Sequence, residues 1–376
     1  MNEIGLYIHI PFCVKKCNYC DFNSYPLSTD EDLKESYIKA LNKELENYKN
    51  GDYLVKSVYI GGGTPTTLTN RQLESLLKII HDNFRLKDGI EFSIEANPGT
   101  VDGVKLLALK NGGVNRISFG VQSTDDNMLK YLGRIHSYSD FLKSYEAARE
   151  NGFKNINVDL IFGIPGQTLK TVEDSIRKIK KLSPEHVSAY NLIIEEGTKL
   201  KEDMEMGKIK AVDEGIELKM YHLIIDLLKV NYKHYEISNF AKPGMECIHN
   251  IIYWNNGQYI GAGAGACSRI GDIRHENARN ISEYIGLIKG GNSAILYKEF
   301  IDKSTEIKET IFLGLRQIEG INISDWKKRF SEDFFDLFKD NFQKLNSLDL
   351  IEKVNDCVRL TKKGLFLSNE VFVEFM

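Results

Sequence analysis

The stretch HIPFCVKKCNYCDF (residues 9–22) carries Cys13, Cys17 and Cys20 in the spacing C-x3-C-x2-C, directly after the chain's first apolar run. That spacing puts three thiolates on one short loop and supplies no fourth. Three sulfurs can hold three irons of a [4Fe–4S] cluster and leave the last iron open to a small molecule, whereas a cluster built for electron transfer closes all four corners. A structural zinc site needs a fourth nitrogen or sulfur. His9 precedes the loop but lies in the apparent strand and breaks a pair-plus-pair rhythm, so zinc and free thiols stay open as alternatives. An odd number of thiols in so short a loop disfavours a disulfide. Cys247, Cys267 and Cys357 are scattered and read as small buried hydrophobes.

Outward from the loop, short apolar runs recur at 5–10, 54–60, 90–96, 114–120, 156–162 and 186–192. Helix-period segments at 31–49, 70–84, 101–111, 138–151 and 168–182 separate them. Apolar strands alternating with helices predict an α/β fold with a parallel sheet covered on its outer face. The repeat of about six strand–helix units suits an incomplete (β/α)6-type barrel. No G-x-G-x-x-G opens a helix after the first strand, which weakens a dinucleotide-binding sheet.

In such a barrel the chemistry lies where the strands end. The cysteine loop follows the first strand and Gly61-Gly62-Gly63-Thr64-Pro65 the second. The third ends in Glu95-Ala96-Asn97-Pro98 and the fourth in Gln122-Ser123, while the fifth carries Asp159 ahead of the Gly163–Gly166 turn. The glycine run serves either a tight turn or close backbone approach to a charged ligand. Glu95 is either a cap partner or a bidentate acceptor for sugar hydroxyls. Gln122 and Asp159 read as site residues, with satisfied core polars as the lesser alternative, and Arg134, in LGRIHS, as a surface residue or a fork for a ligand carboxylate.

The 376 residues are 42% hydrophobic and 27% charged with a net charge of −4, which offers no electrostatic footprint for nucleic acid. No apolar run approaches ~18 residues, so no membrane span is predicted. MNEIGLYIHIPFC has no basic leader, which predicts a cytoplasmic, reducing setting. Three units are expected: a barrel over 1–230, a barrel-closing extension over 231–291, and a smaller, mainly helical, winged-helix-like unit over 292–376. The last is expected to cap the barrel mouth or dock a partner.

With CVKKCNYC, YIGGGTPT, SIEANP, RISFGVQS, LGRIHS and NVDLIFGIPGQT in that order, the chain resembles the radical S-adenosylmethionine (SAM) superfamily. Within it, the resemblance is to the oxygen-independent coproporphyrinogen III oxidase-like family, over essentially the whole chain. The resemblance implies that Cys13, Cys17 and Cys20 hold the cluster and that SAM chelates the open iron. It sets Tyr7 and Tyr19 near SAM, Gly62, Gly63 and Thr64 along its methionine end, and Glu95 on its ribose. Gln122, Arg134 and Asp159, with the positions matching Ile193 and Cys267, would belong to a second SAM pocket. The implied chemistry is reductive cleavage of SAM to a 5′-deoxyadenosyl radical.

Two departures refine this. Asp21-Phe22 follow Cys20 where the oxidases carry a further cysteine two positions on, and the first ligand is already residue 13 where they have an extended arm. Together with YEISNFAKPGMECIHNIIYW (235–254) and LTKKGLFLSNEVFVEF (360–375), these features resemble the branch thought to bind haem and hand it on. Implied partners are haem as cargo, a haem-acceptor protein that is respiratory or membrane-associated, and a reductant protein. Coproporphyrinogen oxidation is the alternative. His249 in HNIIYW is the expected haem ligand, because imidazole is a usual axial ligand. Its other reading is a hydrogen bond to a neighbouring loop, with Tyr253 and Trp254 in the core. The GAGAGA run at 261–266 allows a flat ligand or a tight strand crossing. Arg316-Gln317 and Gly320 match the family without an assignable role.

Overall fold

Ile4, Leu6, Ile8 and Ile10 alternate with Gly5, Tyr7 and His9 along the first strand, and all four aliphatic residues are fully buried. Alternation sends the two sets to opposite faces. The same period recurs in the strands that follow, which explains the layered arrangement of the computed structural model, in which residues 2–27 and 29–376 are described. Strands β1 (Asn2–Ile10), β2 (Tyr53–Gly62), β3 (Arg85–Ala96), β4 (Arg116–Gln122), β5 (Asn155–Phe162) and β6 (His186–Asn191) pair in sequence order, all parallel. Helices α1 (Glu31–Glu46), α2 (Asn70–Asn83), α3 (Gly103–Asn111), α4 (Asp126–Tyr131), α5 (Tyr138–Glu150) and α6 (Leu169–Leu182) connect them. Outward aliphatic residues pack under these helices in one core. Thr69 and Ser137 close capping boxes with Gln72 and Asp140, fixing where α2 and α5 begin. The short α4 was not anticipated.

The inward face is polar. Register brings Gly5 beside Ser57, Tyr7 beside Tyr59, and Glu95, Ser118, Asn157 and His186 into one row across β3 to β6. The predicted apolar strands are therefore apolar on one side only.

The sheet extends at both ends. Past α7 (Lys199–Glu205) and α8 (Glu214–Leu228), β7 (Lys233–Glu236) and β8 (Asn239–Ala241) add antiparallel beyond β6. After α9 (Ile248–Trp254), β9 (Tyr259–Ala262) adds parallel to β1. Then β10 (Cys267–Ile270), β11 (Ile273–Asn277) and, after α10 (Ile281–Lys289), β12 (Ile295–Phe300) continue antiparallel. The twelve strands run from β12 to β7 as an open sheet. The GAGAGA run is a tight strand crossing: a Cβ on Gly261 would fall 1.9 Å from the Cys267 carbonyl oxygen, and one on Gly263 (φ +106°) 2.6 Å from that of His9.

The C-terminal unit runs α11 (Lys303–Gly314), β13 (Ile321–Asn322), α12 (Ile323–Phe330), α13 (Phe334–Ser347), β14 (Ile351–Val354), β15 (Cys357–Leu360), α14 (Lys362–Phe366) and α15 (Ser368–Val373). Its three-stranded sheet and helix order are those of a winged helix, around a core including Ile311, Trp326, Phe334 and Val358. The expectation that it caps the mouth is not met in its anchoring contacts. Ile318 N donates to Tyr235 O and Ile237 N to Arg316 O, and the Tyr235 ring meets His186, the first residue of β6. The unit is thus held where the strands begin. Among the described residues no helix is long and apolar enough to cross a membrane.

Candidate cluster and cofactor site

The cysteine loop leaves β1 and is folded back by mutual backbone bonds: Cys13 N donates to Tyr25 O and Tyr25 N to Pro11 O, both at 2.8 Å. The glycine turn after β2 packs beneath it through Gly63 N to Ile10 O and Thr64 N to Phe12 O. A Cβ on Gly63 would sit 2.8 Å from Phe12 O and 3.0 Å from Cys13 Sγ, and one on Gly62 (φ +116°) 2.6 Å from the His9 ring. The glycines are required here by the protein's own atoms.

Each cysteine sulfur has its own polar neighbour. Thr64 Oγ1 donates to Cys13 Sγ at 3.7 Å, Arg134 Nη1 to Cys17 Sγ at 3.4 Å, and Ser24 Oγ lies 3.8 Å from Cys20 Sγ. The first two are linked, because Asn97 donates from Nδ2 to Thr64 Oγ1 at 2.8 Å and accepts at Oδ1 from Arg134 Nη2 at 2.6 Å. Burial, opposed by the neighbouring hydroxyls, pushes the Cys13 and Cys20 thiols up, and the adjacent sulfurs add to the shift. Among the described residues no His, Cys, Asp or Glu group converges as a single-ion site. A cubane cluster asks for something else, since each thiolate holds a different iron. Three soft donors on one loop, each with a hydrogen-bond partner, fit such a cluster.

A cavity of about 490 Å³ opens beside the loop, walled by Tyr7, His9, Phe22, Gly62, Glu95 and Cys267 among others. Glu95 accepts from Tyr59 Oη at 3.0 Å and from Gly62 N at 3.1 Å. Burial, then the nearby Asp159 carboxylate, raises its pKa to about 7. Asp159 is likewise raised, by burial first, and is held by Ser118 Oγ and Asn157 Nδ2. Tyr7 Oη bonds His9 Nδ1 at 3.0 Å, and His9 Nε2 lies 2.8 Å from Asn23 O.

Of the residues expected to form a second pocket, Gln122, Arg134 and Asp159 come together around Gly120: a Cβ there would lie 3.1 Å from Gln122 Nε2 and 3.4 Å from Arg134 Nη2, and Gly120 pairs with Asp159 across β4 and β5. Cys267 stands with Tyr7 in the wall of this cavity, and Asp159 lies within reach of Glu95. Ile193 is 64% exposed beyond β6. Gln122 ends β4 at φ +68°, a left-handed conformation uncommon for glutamine. The Arg134 fork, expected on a ligand carboxylate, donates inside the protein to Cys17, Asn97 and the Gly120 carbonyl, and its buried Nε has no partner. Tyr19 packs against the small apolar cluster of Leu132 and Ile161, and its phenol is raised by burial despite Arg134. The linking role of Asn97 was not foreseen, although Asn97 lay in the quoted SIEANP.

His249 also departs from expectation. It is 1% exposed, with Nδ1 2.9 Å from Ser57 Oγ and Nε2 2.9 Å from Tyr253 Oη, so neither ring nitrogen is free for iron. Burial, then Arg116, pushes its pKa down to about 3. The Glu91 carboxylate, on the inner face of β3, accepts from the Ile248 and His249 backbone N–H groups, which anchors the start of α9. Tyr59 stacks on the His249 ring at 5.3 Å. Helix α9 therefore plugs the polar interior of the barrel. Its far end is gripped by the C-terminal unit: Arg329 donates to the Asn255 and Asn256 carbonyls, Gln317 to Asn255 Oδ1, and Arg316 covers the Trp254 ring at 4.5 Å. This gives Arg316 and Gln317 a role that the sequence did not supply.

Residues 7–179 match the model of the Radical SAM superfamily and residues 301–367 that of the HemN C-terminal domain. Heme chaperone HemW of Bacillus subtilis (strain 168) is 41% identical, with 98% of each chain covered. Heme chaperone HemW of Lactococcus lactis subsp. lactis (strain IL1403) is 36% identical over 98% of this chain and 96% of that one. In fold, the chain is similar to coproporphyrinogen III oxidase (HemN) from Escherichia coli, with a TM-score of 0.86 at 24% identity, covering 100% of this chain and 90% of that one. By its end-to-end similarity to these chaperones, the chain belongs to the Heme chaperone HemW family.

Proposed function

We propose that this protein binds haem and passes it to acceptor proteins, and that it carries a radical SAM-type [4Fe–4S] and SAM site at the barrel mouth. The observation that carries the reading is the match to curated haem chaperones along nearly the full length of both chains. In this reading Cys13, Cys17 and Cys20 hold the cluster, which when bound supplies an electron to SAM. Thr64, Arg134 and Ser24 orient the sulfurs and tune their electron density. Tyr7, Gly62 and Glu95 line the space beside the loop, where Glu95 at a pKa of about 7 accepts a ribose hydroxyl bond in its ionised form. Phe22, 64% exposed, stands in the wall where the oxidases have their further cysteine. A reductant protein and a haem acceptor are the implied partners.

Parallel titration of haem and coproporphyrinogen III against anaerobically reconstituted protein tests this, with analysis for 5′-deoxyadenosine and protoporphyrinogen. The expected result is tight haem binding, transfer to an apo-haemoprotein, and no protoporphyrinogen. Haem binding no better than to an unrelated protein would overturn the reading.

A further inference from the structure

A second cavity, of about 470 Å³, lies between the barrel and the C-terminal unit, on the far side of Tyr7 and Cys267 from the barrel mouth. Its volume is in the range of small-molecule sites. Tyr7, Tyr253, Tyr259, Trp254 and Phe312 supply flat walls, drawn from β1, α9, β9 and α11. The mouth cavity is lined instead by Lys16, Asp21, Asn23, Ser24 and Arg279, a set suited to a polar ligand. The two cavities thus differ in chemistry while sharing a wall.

Three further residues bear on what the second one takes. Cys267 is the single sulfur in its lining. Arg269 and Arg274 stand in the same wall. Arg274 gives Nη1 to Glu299 and Nη2 to Glu309, while Arg269 bonds Asn256 and pairs with Glu306 at 3.4 Å. Arg269 Nε is buried without a partner. A guanidinium has five N–H donors, so both keep capacity for a further carboxylate. The three glutamates outnumber these two arginines, and Glu306 is shared with Arg329, so the wall carries no net positive charge. Recognition therefore rests on ring stacking and on a metal-binding atom, with the arginines setting orientation.

We infer that this cavity is the haem pocket, the macrocycle lying between the aromatic walls, its propionates turned to Arg269 and Arg274, and Cys267 Sγ on the iron. The inference rests on the haem-chaperone reading and moves the ligand from the expected His249. Thiolate is an established axial ligand for haem iron. Burial holds the Cys267 thiol above its ordinary value, so ferric iron binds by taking the sulfur as its proton passes to water. Two sites sharing Tyr7 and Cys267 also place the cargo directly against the SAM cavity.

The test uses the full-length, anaerobically reconstituted protein titrated with ferric haem, read by the Soret band and by affinity. Cys267→Ser is expected to abolish the thiolate-type spectrum, and Phe312→Trp, which fills the cavity, to weaken binding at least tenfold. Cluster iron content and melting temperature identify any variant that fails to fold. As an independent readout, haem should protect Cys267 of the unmodified protein from maleimide, scored by mass spectrometry. If wild-type protein binds haem but both variants keep its affinity and spectrum, or haem leaves Cys267 open to maleimide, the pocket is wrong and the chaperone reading survives. If wild-type protein binds no haem, both fall.

Discussion

Arg134 reaches Cys17 Sγ with Nη1 at 3.4 Å while Nη2 of the same guanidinium holds Asn97 Oδ1 at 2.6 Å. A cation donating to a cluster thiolate withdraws electron density from sulfur and favours the reduced state. Arg134→Gln is expected to lower the cluster's reduction potential by tens of millivolts while leaving most of the iron in place. A redox titration followed by electron paramagnetic resonance checks this. An unchanged potential in a fully loaded variant would show that the contact does not tune the metal.

Gly63→Ala should be far more damaging than its size suggests. The new methyl would meet a backbone oxygen at 2.8 Å and Cys13 Sγ at 3.0 Å, so the loop and the turn beneath it must part. Severalfold loss of iron and sulfide per protein after reconstitution is the expected outcome, measured by elemental analysis. Retention of a full cluster would mean that the loop yields at little cost.

For His249 the hydrogen bonds give a structural role. His249→Ala leaves Ser57 and Tyr253 without their buried partners, at about 1–3 kcal/mol each. The denaturation midpoint should fall accordingly, while the spectrum of bound haem stays that of the wild type. A changed spectrum at unchanged stability would return His249 to the iron.

Stability should fall with rising pH through two buried carboxyls. Glu44 and Glu95 are both raised from 4.5 to about 7, burial being the larger cause for each. Their folded forms hold protons that the unfolded chain has released, so the stability they contribute is full below about pH 4.5 and lost as pH rises through about 7. One pKa unit is about 1.4 kcal/mol, so the rise from 4.5 to about 7 puts an upper bound of ~3.5 kcal/mol on each. The wild type should therefore lose stability relative to Glu44→Gln between pH 5 and pH 8, as chemical denaturation at each pH would show. Parallel curves would mean that Glu44 titrates normally.

Much of the barrel was legible because its strands announce themselves as apolar runs between amphipathic helices. All six lie within a few residues of their expected places, with β3 the main departure. It starts at Arg85 rather than 90, because Arg85 and Leu86 pair with Leu54 and Val55 before the register shifts. The cysteine loop was legible as well, since its chemistry is local. What stayed hidden depends on contacts between distant positions. Arg134 finds Cys17 across 117 residues, and His249 finds Ser57 across 192. No local pattern tells an arginine that binds ligand from one that binds a protein sulfur. The gathering of Gln122, Arg134 and Asp159 around Gly120, with Ile193 exposed beyond β6, likewise follows from where strand ends and loops project.

The Glu91-anchored helix α9 joins the barrel's interior to the winged-helix unit through Asn255 and Asn256. The boundary between the two bodies consequently passes through the middle of the first one. A chimaera that exchanges only the C-terminal portion with a relative would leave its host's stopper facing foreign arginines. Grafts that carry residues 248–257 along with their own clamp should assemble, and those that split the pair should not.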